Sequence, residues 1–459
     1  MKIAIIGAGP AGIITAIAIC NKIKSKFLSI DIYDPETPFR GRSFNTYSDY
    51  MLLNTSVGVS FIDPDAPYDF MNYINSQGKL QIKAGEVVPR DLAVSFLQSE
   101  LELAKKNIGG IDFFRKNIND ISINKSGGIC IHYEKQSKNY DGAVIATGLQ
   151  FSPPPDIFYH HNIMSPYPAQ RLTEIDQNSA VLVLGSRLSA IDTLVHLSKT
   201  GHKGPIDVFS HSQLFPSVRR HVIKARERNF FERYKSAVDP LPNDYSRISC
   251  FLNIFKDYLI NKNIQLTDII ATHERRGRTQ LEHDIRNCQD NRNVWEDILM
   301  DVIDGLNYIW PSLTSEDKRR FNKEVNPWFV RIAHSMPLCN ALIISNLFHK
   351  NQLNMLSLDE LLTADINNYK AVINATGLQS AENDILLLRL SKRNLLLFNG
   401  NGGVRVDVST HRLRTDLPVY ANGSIVQGEV FTANSIYSTS YGAKKIALDI
   451  EKLSKKITP

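Results

Sequence analysis

The sequence has few cysteines, and their spacing suits neither disulfide pairing nor zinc binding. The cysteines in its 459 residues are odd in number, far apart and without a CxxC pair: Cys20, Cys130, Cys250, Cys288 and Cys339. Small disulfide frameworks and zinc modules depend on paired or closely spaced cysteines. The sequence therefore argues against both classes and favours a reducing compartment, so we expect a cytoplasmic protein without a bound metal.

Long apolar runs and a strong charge imbalance are also missing. Glycines interrupt the apolar N-terminal stretch, and Lys22 and Lys24 end it before about 20 apolar residues accumulate. We therefore expect neither a signal peptide nor a membrane span. The net charge of +6 suits an anionic cofactor without indicating nucleic acid. A hydrophobic content of 43% excludes a disordered chain, and the length allows about three domain-sized units.

The most informative stretch is a GxGxxG motif made of Gly7, Ala8, Gly9, Pro10, Ala11 and Gly12. It follows an apolar segment at 2–6 and opens a predicted helix, the context in which this motif binds a dinucleotide. Gly7 permits the tight turn, Gly9 lets the backbone approach a pyrophosphate, and Gly12 lets the helix pack on the strand. The helix N-terminus attracts the pyrophosphate. Asp34 ends the next predicted strand, where its carboxylate can accept the hydroxyls of an adenosine ribose.

A second strand, turn and helix begins at residue 180 with a degenerate motif of Gly185, Ser186, Arg187, Leu188, Ser189 and Ala190. Arg187 replaces the second glycine; its bulk hinders close approach, whereas its guanidinium can hold a phosphate, so both outcomes stay open. The next strand ends at Ser210 instead of an acid. This absence, with Arg219 and Arg220 nearby, favours NADPH over NADH, because a 2′-phosphate repels carboxylate and attracts guanidinium. The alternative is a solvated helix face formed by Arg219, Arg220, Lys224, Arg226 and Arg228.

Two further kinds of string end predicted strands. ATG occurs at 146–148 and 375–377, and the last strand ends in YANGS at 420–424. Flavoproteins with two nucleotide-binding domains carry such strings at the inter-domain crossings and near the flavin. The residues predicted from them to contact cofactor are Thr147, Gly148, Gly377, Gly423 and Ser424. A last helix, starting near Asn434, would direct its N-terminus at the flavin and stabilise negative charge there.

The chain resembles a bacterial FAD/NAD(P)-binding protein family related to the class B flavoprotein monooxygenases. The resemblance rests on strings that occur in order along nearly the whole chain: the opening glycine motif, LLNTS at 52–56, VVPRDLAVSFL at 87–97, VIATG, VLVLGSRLSAID at 181–192, WPSLTSEDKRRF at 310–321, NATG and YANGS. It implies FAD contacts at Gly7, Gly9, Gly12 and Asp34. It further implies that Asn54 and Arg90 are neighbours of the cofactor.

Relatives with assigned roles resemble tailoring monooxygenases of bacterial secondary metabolism, including N-hydroxylating and Baeyer–Villiger-type enzymes. The Baeyer–Villiger fingerprint requires Phe, Gly and His at fixed spacing before the second glycine motif. Phe158 is retained, but His160 replaces the glycine and Met164 replaces the histidine. The resemblance therefore favours N-hydroxylation or a divergent Baeyer–Villiger-type oxygenation over an ordinary Baeyer–Villiger enzyme.

Several other groups have weaker functional interpretations. Adjacent His160 and His161 suit a loop better than a metal pair, because neighbouring side chains diverge. Acidic residues interleave with the run at 275–278, which favours a solvated helix face over a nucleic-acid site. The tryptophans expected in the core are Trp295, Trp310 and Trp328. The residues that could line a substrate cleft between domains are Arg331, His334 and Met336.

These patterns predict an α/β protein with two Rossmann-like dinucleotide-binding domains and a helical subdomain. Residues 1–160 and 355–459 would form a discontinuous FAD-binding domain, and 161–354 an inserted NAD(P)H-binding domain with helices at about 221–350. The expected function is an FAD-dependent, NADPH-using monooxygenase that takes O₂ and a small organic substrate.

Two alternatives keep the FAD but change the role. The first is a reductase or oxidase reduced by substrate or by a partner protein, and Arg187 motivates it. The second is a non-enzymatic flavin-bound sensor or complex subunit, suggested by the eroded second motif and by Ser424, which stands where such flavoproteins usually have Asp.

Overall fold

The N-terminal apolar segments build a parallel sheet. The computed structural model describes the chain except residues 79, 125–126, 159–161, 222–228, 241–245, 266–274, 414–415 and 458–459. The strands of this sheet are β1 (Lys2–Ile6), β2 (Ser29–Tyr33), β3 (Gly110–Phe114), β7 (Gly142–Ile145) and β15 (Val419–Ala421), in the order β15-β7-β1-β2-β3. The β1, β2 and β7 strands are rich in Ile, Val and Ala and mostly buried, as expected for a parallel sheet covered on both faces.

Helices and a small antiparallel sheet complete this first domain. The antiparallel strands are β4 (Asp120–Ile123), β5 (Ile129–Tyr133) and β6 (Gln136–Tyr140). The helices are α1 (Pro10–Ile23), α2 (Asp69–Ser76), α3 (Arg90–Lys105), α13 (Ile385–Lys392) and α14 (Ile436–Ile457). The first of these, α1, packs against both α3 and the C-terminal helix α14, so the helix that the glycine motif opens is covered by both.

A second parallel sheet follows. Its strands are β8 (Ile163–Met164), β9 (Ala180–Leu184), β10 (Ile206–Phe209), β13 (Leu353–Leu356) and β14 (Tyr369–Asn374), in the order β13-β10-β9-β14-β8. A separate parallel pair is formed by β11 (Val218–Arg219) and β12 (Met336–Pro337). The two parallel sheets agree with the predicted pair of Rossmann-like domains.

The predicted boundary at 354/355 is wrong, because β14 belongs to the second sheet. Its residues Tyr369–Asn374 pair with β9, and Val372 also pairs with Ile163 of β8. The second domain therefore extends to residue 374. The return to the first domain runs beside the outgoing connection, since Ser152 N donates to Gly377 O at 2.9 Å. Chain order alone does not show which sheet a strand joins, and this produced the error.

The region predicted to be a helical subdomain divides between two cores. Its helices, with the one that precedes it and the one that follows, are α4 (Leu188–Lys199), α5 (Asn229–Val238), α6 (Arg247–Asn261), α7 (Gly277–Gln289), α8 (Leu299–Ile309), α9 (Ser315–Glu324), α10 (Asn326–Ala333), α11 (Leu338–His349) and α12 (Leu358–Thr363). Leu281 and Ile285 of α7 pack into the core of the second sheet, as does Ile344 of α11. The range 221–350 is thus not a single helical unit.

An aromatic core unites the rest of this helical region with the first domain. Trp295 and Trp310 are buried in it, and Trp328 packs against it, as the sequence predicted. Phe61 and Tyr437 of the first domain belong to the same core. The helical region therefore packs against the segment that leads into α14. Among the described residues, no helix combines the length and apolarity of a membrane span.

Candidate functional site: two glycine turns and the loop between the domains

The first glycine turn has the predicted strand–turn–helix geometry. Gly7 has φ +108°, and a Cβ there would lie 2.3 Å from Ala146 O. A Cβ on Gly12 would lie 1.9 Å from Gly7 O, so neither position accepts a side chain without moving backbone. Gly9 instead faces Gly41, at 3.4 Å from its would-be Cβ. The N-cap residue of α1 is Gly9, which has no side chain to cap the helix, so the first N–H groups of α1 are available to an anion.

Asp34 and Arg42 lie beside this turn. The Asp34 carboxylate accepts hydrogen bonds from Ala8 N at 2.7 Å and Glu36 N at 2.8 Å, one on each oxygen. Burial raises its pKa, although these two hydrogen bonds oppose the shift. Each carboxylate oxygen retains a further lone pair for a ribose hydroxyl. Arg42 is half-buried and faces Asp34 and Asp384, a cation that the sequence analysis missed because no motif surrounds it.

The C-terminal segment reaches the same edge of the first sheet. Gly423 has φ +78°, and a Cβ there would lie 2.8 Å from the Cβ of Ala11. Ser424 Oγ accepts a hydrogen bond from Leu149 N at 3.0 Å and lies 3.5 Å from where a Cβ of Gly148 would be. The predicted residues brought together here are Gly7, Gly9, Pro10, Ala11, Gly12, Asp34, Thr147, Gly148, Gly423 and Ser424.

Asn434 and Gly377 lie apart from this group. Asn434 is exposed in the turn that precedes α14, and the helix begins at Ile436. Gly377 has φ +109°, and its carbonyl accepts the hydrogen bond from Ser152 at the crossing between the domains. Gly377 thus contributes to the inter-domain crossing, where the ATG string that it ends was expected to lie.

Arg90 has a different position from the one predicted. Its Nη2 lies 2.6 Å from Oδ2 of Asp192 on α4, and both side chains are buried. Nε donates to Leu52 O at 3.0 Å and Nη1 to Ser43 O at 2.8 Å. The Tyr167 hydroxyl donates to the same carboxylate. Arg90 therefore joins the two domains and supports the loop at 52–56, which occupies its guanidinium and leaves it unsuited to direct contact with a cofactor.

The loop at 54–56 is also held from the second domain. Arg219, 1% exposed, donates from Nη2 to Asn54 O at 2.5 Å and from Nη1 to Ser56 Oγ at 3.3 Å. Burial lowers the pKa of this guanidinium to about 10, against the attraction of Glu296. Asn54 Oδ1 is buried and has no hydrogen-bond partner among the described residues. An orphaned amide oxygen here fits a ligand that supplies a donor.

The prediction that Arg219 and Arg220 recognise a 2′-phosphate is wrong for Arg219, because its guanidinium faces the first domain. Arg220 is exposed and donates to Asn291, while its backbone N donates to Glu296 at 3.1 Å. The other members of the predicted basic face, Lys224, Arg226 and Arg228, lie outside the described residues. The adjacent histidines His160 and His161 also lie outside them.

The second glycine turn repeats the packing of the first. Gly185 has φ +107°, and a Cβ there would lie 2.3 Å from Ala375 O, as a Cβ on Gly7 would from Ala146 O. The two ATG strings thus have the same structural position, each beside the strand that leads into a glycine turn. Ser186 Oγ donates to Leu214 O at 2.8 Å and contacts Ser210 Oγ at 2.9 Å. Its hydroxyl is therefore engaged within the domain.

Arg187 precedes the first residue of α4, and no side chain caps this helix. Its Nη1 is buried and has no partner among the described residues, and its pKa is lowered by burial and by Arg331. Ser189 lies in the first turn of the same helix. An uncapped helix start beside an unpaired guanidinium suits a phosphate.

The residues considered as cleft-lining have separate positions. Arg331 is buried and pairs with Asp284 at 2.8 Å, and Met336 is buried in β12. His334 is exposed. A cavity of about 340 Å³ lies along β8 and β14, lined in part by Arg171 and Glu174, and it includes no predicted site residue. The cofactor residues therefore group around the two glycine turns and not around this cavity.

Comparison with known proteins agrees with this geometry. Residues 4–150 match the family model described as FAD-NAD(P)-binding. This confirms the predicted resemblance and the predicted class of cofactor. A search of curated protein sequences finds no match.

Solved structures share the fold over nearly the whole chain. L-lysine 6-monooxygenase from Pseudomonas syringae is 14% identical with a TM-score of 0.58, covering 98% of this chain and 99% of that one. Ornithine hydroxylase from Pseudomonas aeruginosa is 13% identical with a TM-score of 0.56, covering 98% of both chains. The cadaverine monooxygenase of desferrioxamine biosynthesis from Erwinia amylovora is 11% identical with a TM-score of 0.59, covering 100% and 95%. These matches confirm the predicted fold class.

Proposed function

We propose that this protein is an FAD-dependent, NADPH-using monooxygenase that oxidises a small organic substrate with O₂. The observation that carries the proposal is the matched pair of glycine turns, each opening a helix without a capping side chain. Such a pair suits two dinucleotides in one chain. A flavin and a nicotinamide cofactor are the combination with which a chain can reduce O₂ in two-electron steps.

FAD would lie on the first turn. The helix N-terminus and Arg42 would hold its pyrophosphate, and Asp34 would accept the ribose hydroxyls. Bound FAD supplies the electron storage and the reaction with O₂, which no side chain offers. Asn54 Oδ1, buried and without a partner, would accept a hydrogen bond from the cofactor or the substrate.

NADPH would lie on the second turn. Gly185 provides the turn, and the start of α4 with Arg187 would hold the pyrophosphate. Arg187 thereby replaces the usual backbone approach with a side-chain contact. A guanidinium is always charged and can form two parallel hydrogen bonds. Arg187 therefore suits a phosphate better than a lysine would.

The protein's own contribution is positioning and exclusion of water. The helical region contacts the C-terminal part of the first domain at two places. Trp310 Nε1 donates to Gly428 O at 2.9 Å before α14, and the hydroxyl of Tyr437, in the first turn of α14, donates to Asp304. These contacts would hold this C-terminal part in place and help to exclude water from bound FAD. Substrate specificity would come from side chains of this part.

A reductase or oxidase is the second candidate, and Arg187 favours it. A side chain at the position of the second motif glycine reduces the space for the backbone approach of a nicotinamide cofactor. In that case electrons would reach the flavin from the substrate or from a partner protein.

Oxygen incorporation separates the two candidates. The FAD-loaded protein is supplied with NADPH, ¹⁸O₂ and a panel of small primary amines and ketones, and products are identified by mass spectrometry. Amines enter the panel because three proteins of the same fold act on ornithine, lysine and cadaverine, according to their names. We expect one ¹⁸O atom in a product and matched NADPH consumption. Hydrogen peroxide formed from a substrate without NADPH consumption, and with no ¹⁸O in any product, would support the oxidase instead.

A further inference from the structure

The N-terminus of α7 lies against the loop that follows β10. Gly277 N donates to Gln213 O at 2.8 Å. Gln213 N in turn donates to Ser210 Oγ at 3.1 Å, and Ser210 follows the last residue of β10. A Cβ on Gly277 would lie 3.4 Å from Met355 of the neighbouring strand β13. The chain therefore brings Arg275 and Arg276, more than 60 residues further along, to the carboxyl edge of the second sheet.

This edge carries an excess of positive charge. Arg275 and Arg276 are exposed, and besides burial the positive charge of Arg276 contributes to lowering the pKa of Arg331. Besides burial, the positive charge of Arg331 in turn contributes to lowering the pKa of Arg187 at the second glycine turn. Asp284 is buried and pairs with Arg331 at 2.8 Å. One region therefore contains four guanidinium groups, and the carboxylate of Asp284 neutralises the charge of one of them, Arg331. The four belong to Arg187, Arg275, Arg276 and Arg331.

The position that distinguishes the two nicotinamide cofactors is neutral. A carboxylate at the end of the second strand of such a domain accepts the ribose 2′-hydroxyl and repels a 2′-phosphate. Here that position is Ser210, whose hydroxyl contacts Ser186 Oγ at 2.9 Å. The loop beyond it contacts the N-terminus of α7, because Gln213 O accepts a hydrogen bond from Gly277 N. A phosphate at this place would meet guanidinium groups, and the position at the end of β10 carries no acid.

We propose that Arg275 and Arg276 bind the 2′-phosphate of NADPH and give this protein its preference for NADPH over NADH. This inference rests on the proposed use of a nicotinamide cofactor at the second glycine turn. It replaces Arg219 and Arg220 in that role, because Arg219 is buried against the first domain. Guanidinium groups suit the task since they form paired, charge-assisted hydrogen bonds to phosphate.

The test compares nucleotide binding by wild type, R275A/R276A and a matched control. The control is Arg278→Ala, on the same helix, whose guanidinium pairs with Glu282 at 2.7 Å. Dissociation constants for NADP⁺ and NAD⁺ are measured by calorimetry on the FAD-loaded protein. We expect the wild type to prefer NADP⁺, the double variant to lose at least tenfold of that preference with NAD⁺ affinity unchanged, and the control to keep it.

The outcomes separate this inference from the proposed function. A wild type that prefers NADP⁺, with the same preference retained in R275A/R276A, overturns the inference and leaves the proposed function standing. A wild type that binds neither nucleotide overturns both at the second site. If R275A/R276A has a lower melting temperature than wild type, R275K/R276K replaces it, and we expect that variant to retain part of the NADP⁺ preference. R275Q/R276Q removes both charges. Full retention of the NADP⁺ preference in R275Q/R276Q, with NAD⁺ affinity equal to that of wild type, contradicts the inference.

Discussion

At the scale of single residues, the first glycine turn depends on backbone packing and on one carboxylate. Gly7 and Gly12 cannot be replaced without moving the backbone, because a Cβ at either position would lie under 2.5 Å from a carbonyl oxygen. This requirement holds whether or not a ligand binds. Asp34 is different, because its carboxylate can serve both the backbone and a ribose. Substitution of Asp34 therefore tests cofactor binding more directly than substitution of a glycine.

We expect Asp34→Ala to weaken FAD binding by about 10- to 100-fold, since a hydrogen bond to a charged group contributes about 1.5–3 kcal/mol. Titration of the apoprotein with FAD, followed by flavin fluorescence, measures this. Glu36→Gln is the control, because Glu36 is the exposed neighbour whose backbone N contacts Asp34. Equal FAD affinity in Asp34→Ala and wild type would rule out this role for the carboxylate.

His411 gives the fold a dependence on pH. It is buried, its Nδ1 contacts Ala421 O at 3.0 Å, and burial with the nearby charge of Lys445 lowers its pKa to about 4. The unfolded chain, with a histidine pKa near 6.5, binds the proton more readily, so stability falls as pH drops from about 6.5 towards 4. Between pH 7.5 and 5 this single group costs about 2 kcal/mol.

Melting temperatures at pH 7.5 and pH 5 check this expectation. His411 has φ +60°, and asparagine tolerates that backbone conformation, so His411→Asn is the suitable variant. We expect a smaller loss of stability at pH 5 in the variant than in wild type. His196 and His202, also buried with lowered pKa values, keep part of the dependence. An unchanged difference between the two pH values would contradict the assignment to His411.

At the scale of elements, the sequence predicted strands and helices better than their partners. The apolar segment at 2–6 is a strand with those same bounds, because an apolar run rich in isoleucine and followed by a glycine turn leaves little choice. The string YKAVINATG was assigned to the wrong domain, although its likeness to the ATG string after β7 indicates the equivalent position. No sequence motif surrounds Arg42, so its position could not be predicted. Arg275 was predicted to lie on a solvated helix face, because its approach to the loop after β10 depends on tertiary packing alone.

Helix α4 is docked on the first domain by a buried ion pair, which gives a prediction for stability. Asp192→Asn would leave Arg90 buried with a neutral partner, and we expect a loss of about 3–5 kcal/mol. The control is Glu282→Gln, which removes the exposed pair with Arg278 and should cost less than about 1 kcal/mol. Melting temperatures at one scan rate compare them, and similar shifts for both variants would show that the buried pair does not hold the domains.

At the scale of the whole molecule, two dinucleotide domains are joined through the loop at 52–56. Arg90 supports this loop from the first domain, and Arg219 contacts it from the second. The connections between the domains also run side by side through Ser152 and Gly377. Changes in how the domains dock should therefore reach the side chains that we assign to the flavin.

The most direct test of the account is the anaerobic reaction of the FAD-loaded protein with each nicotinamide cofactor. NADPH and NADH are mixed separately with the protein, and the flavin absorbance near 450 nm is followed by stopped flow. The account predicts rapid bleaching by NADPH and much slower bleaching by NADH. A bound flavin that neither cofactor reduces would contradict it, and would leave Arg187 as a barrier at the second glycine turn.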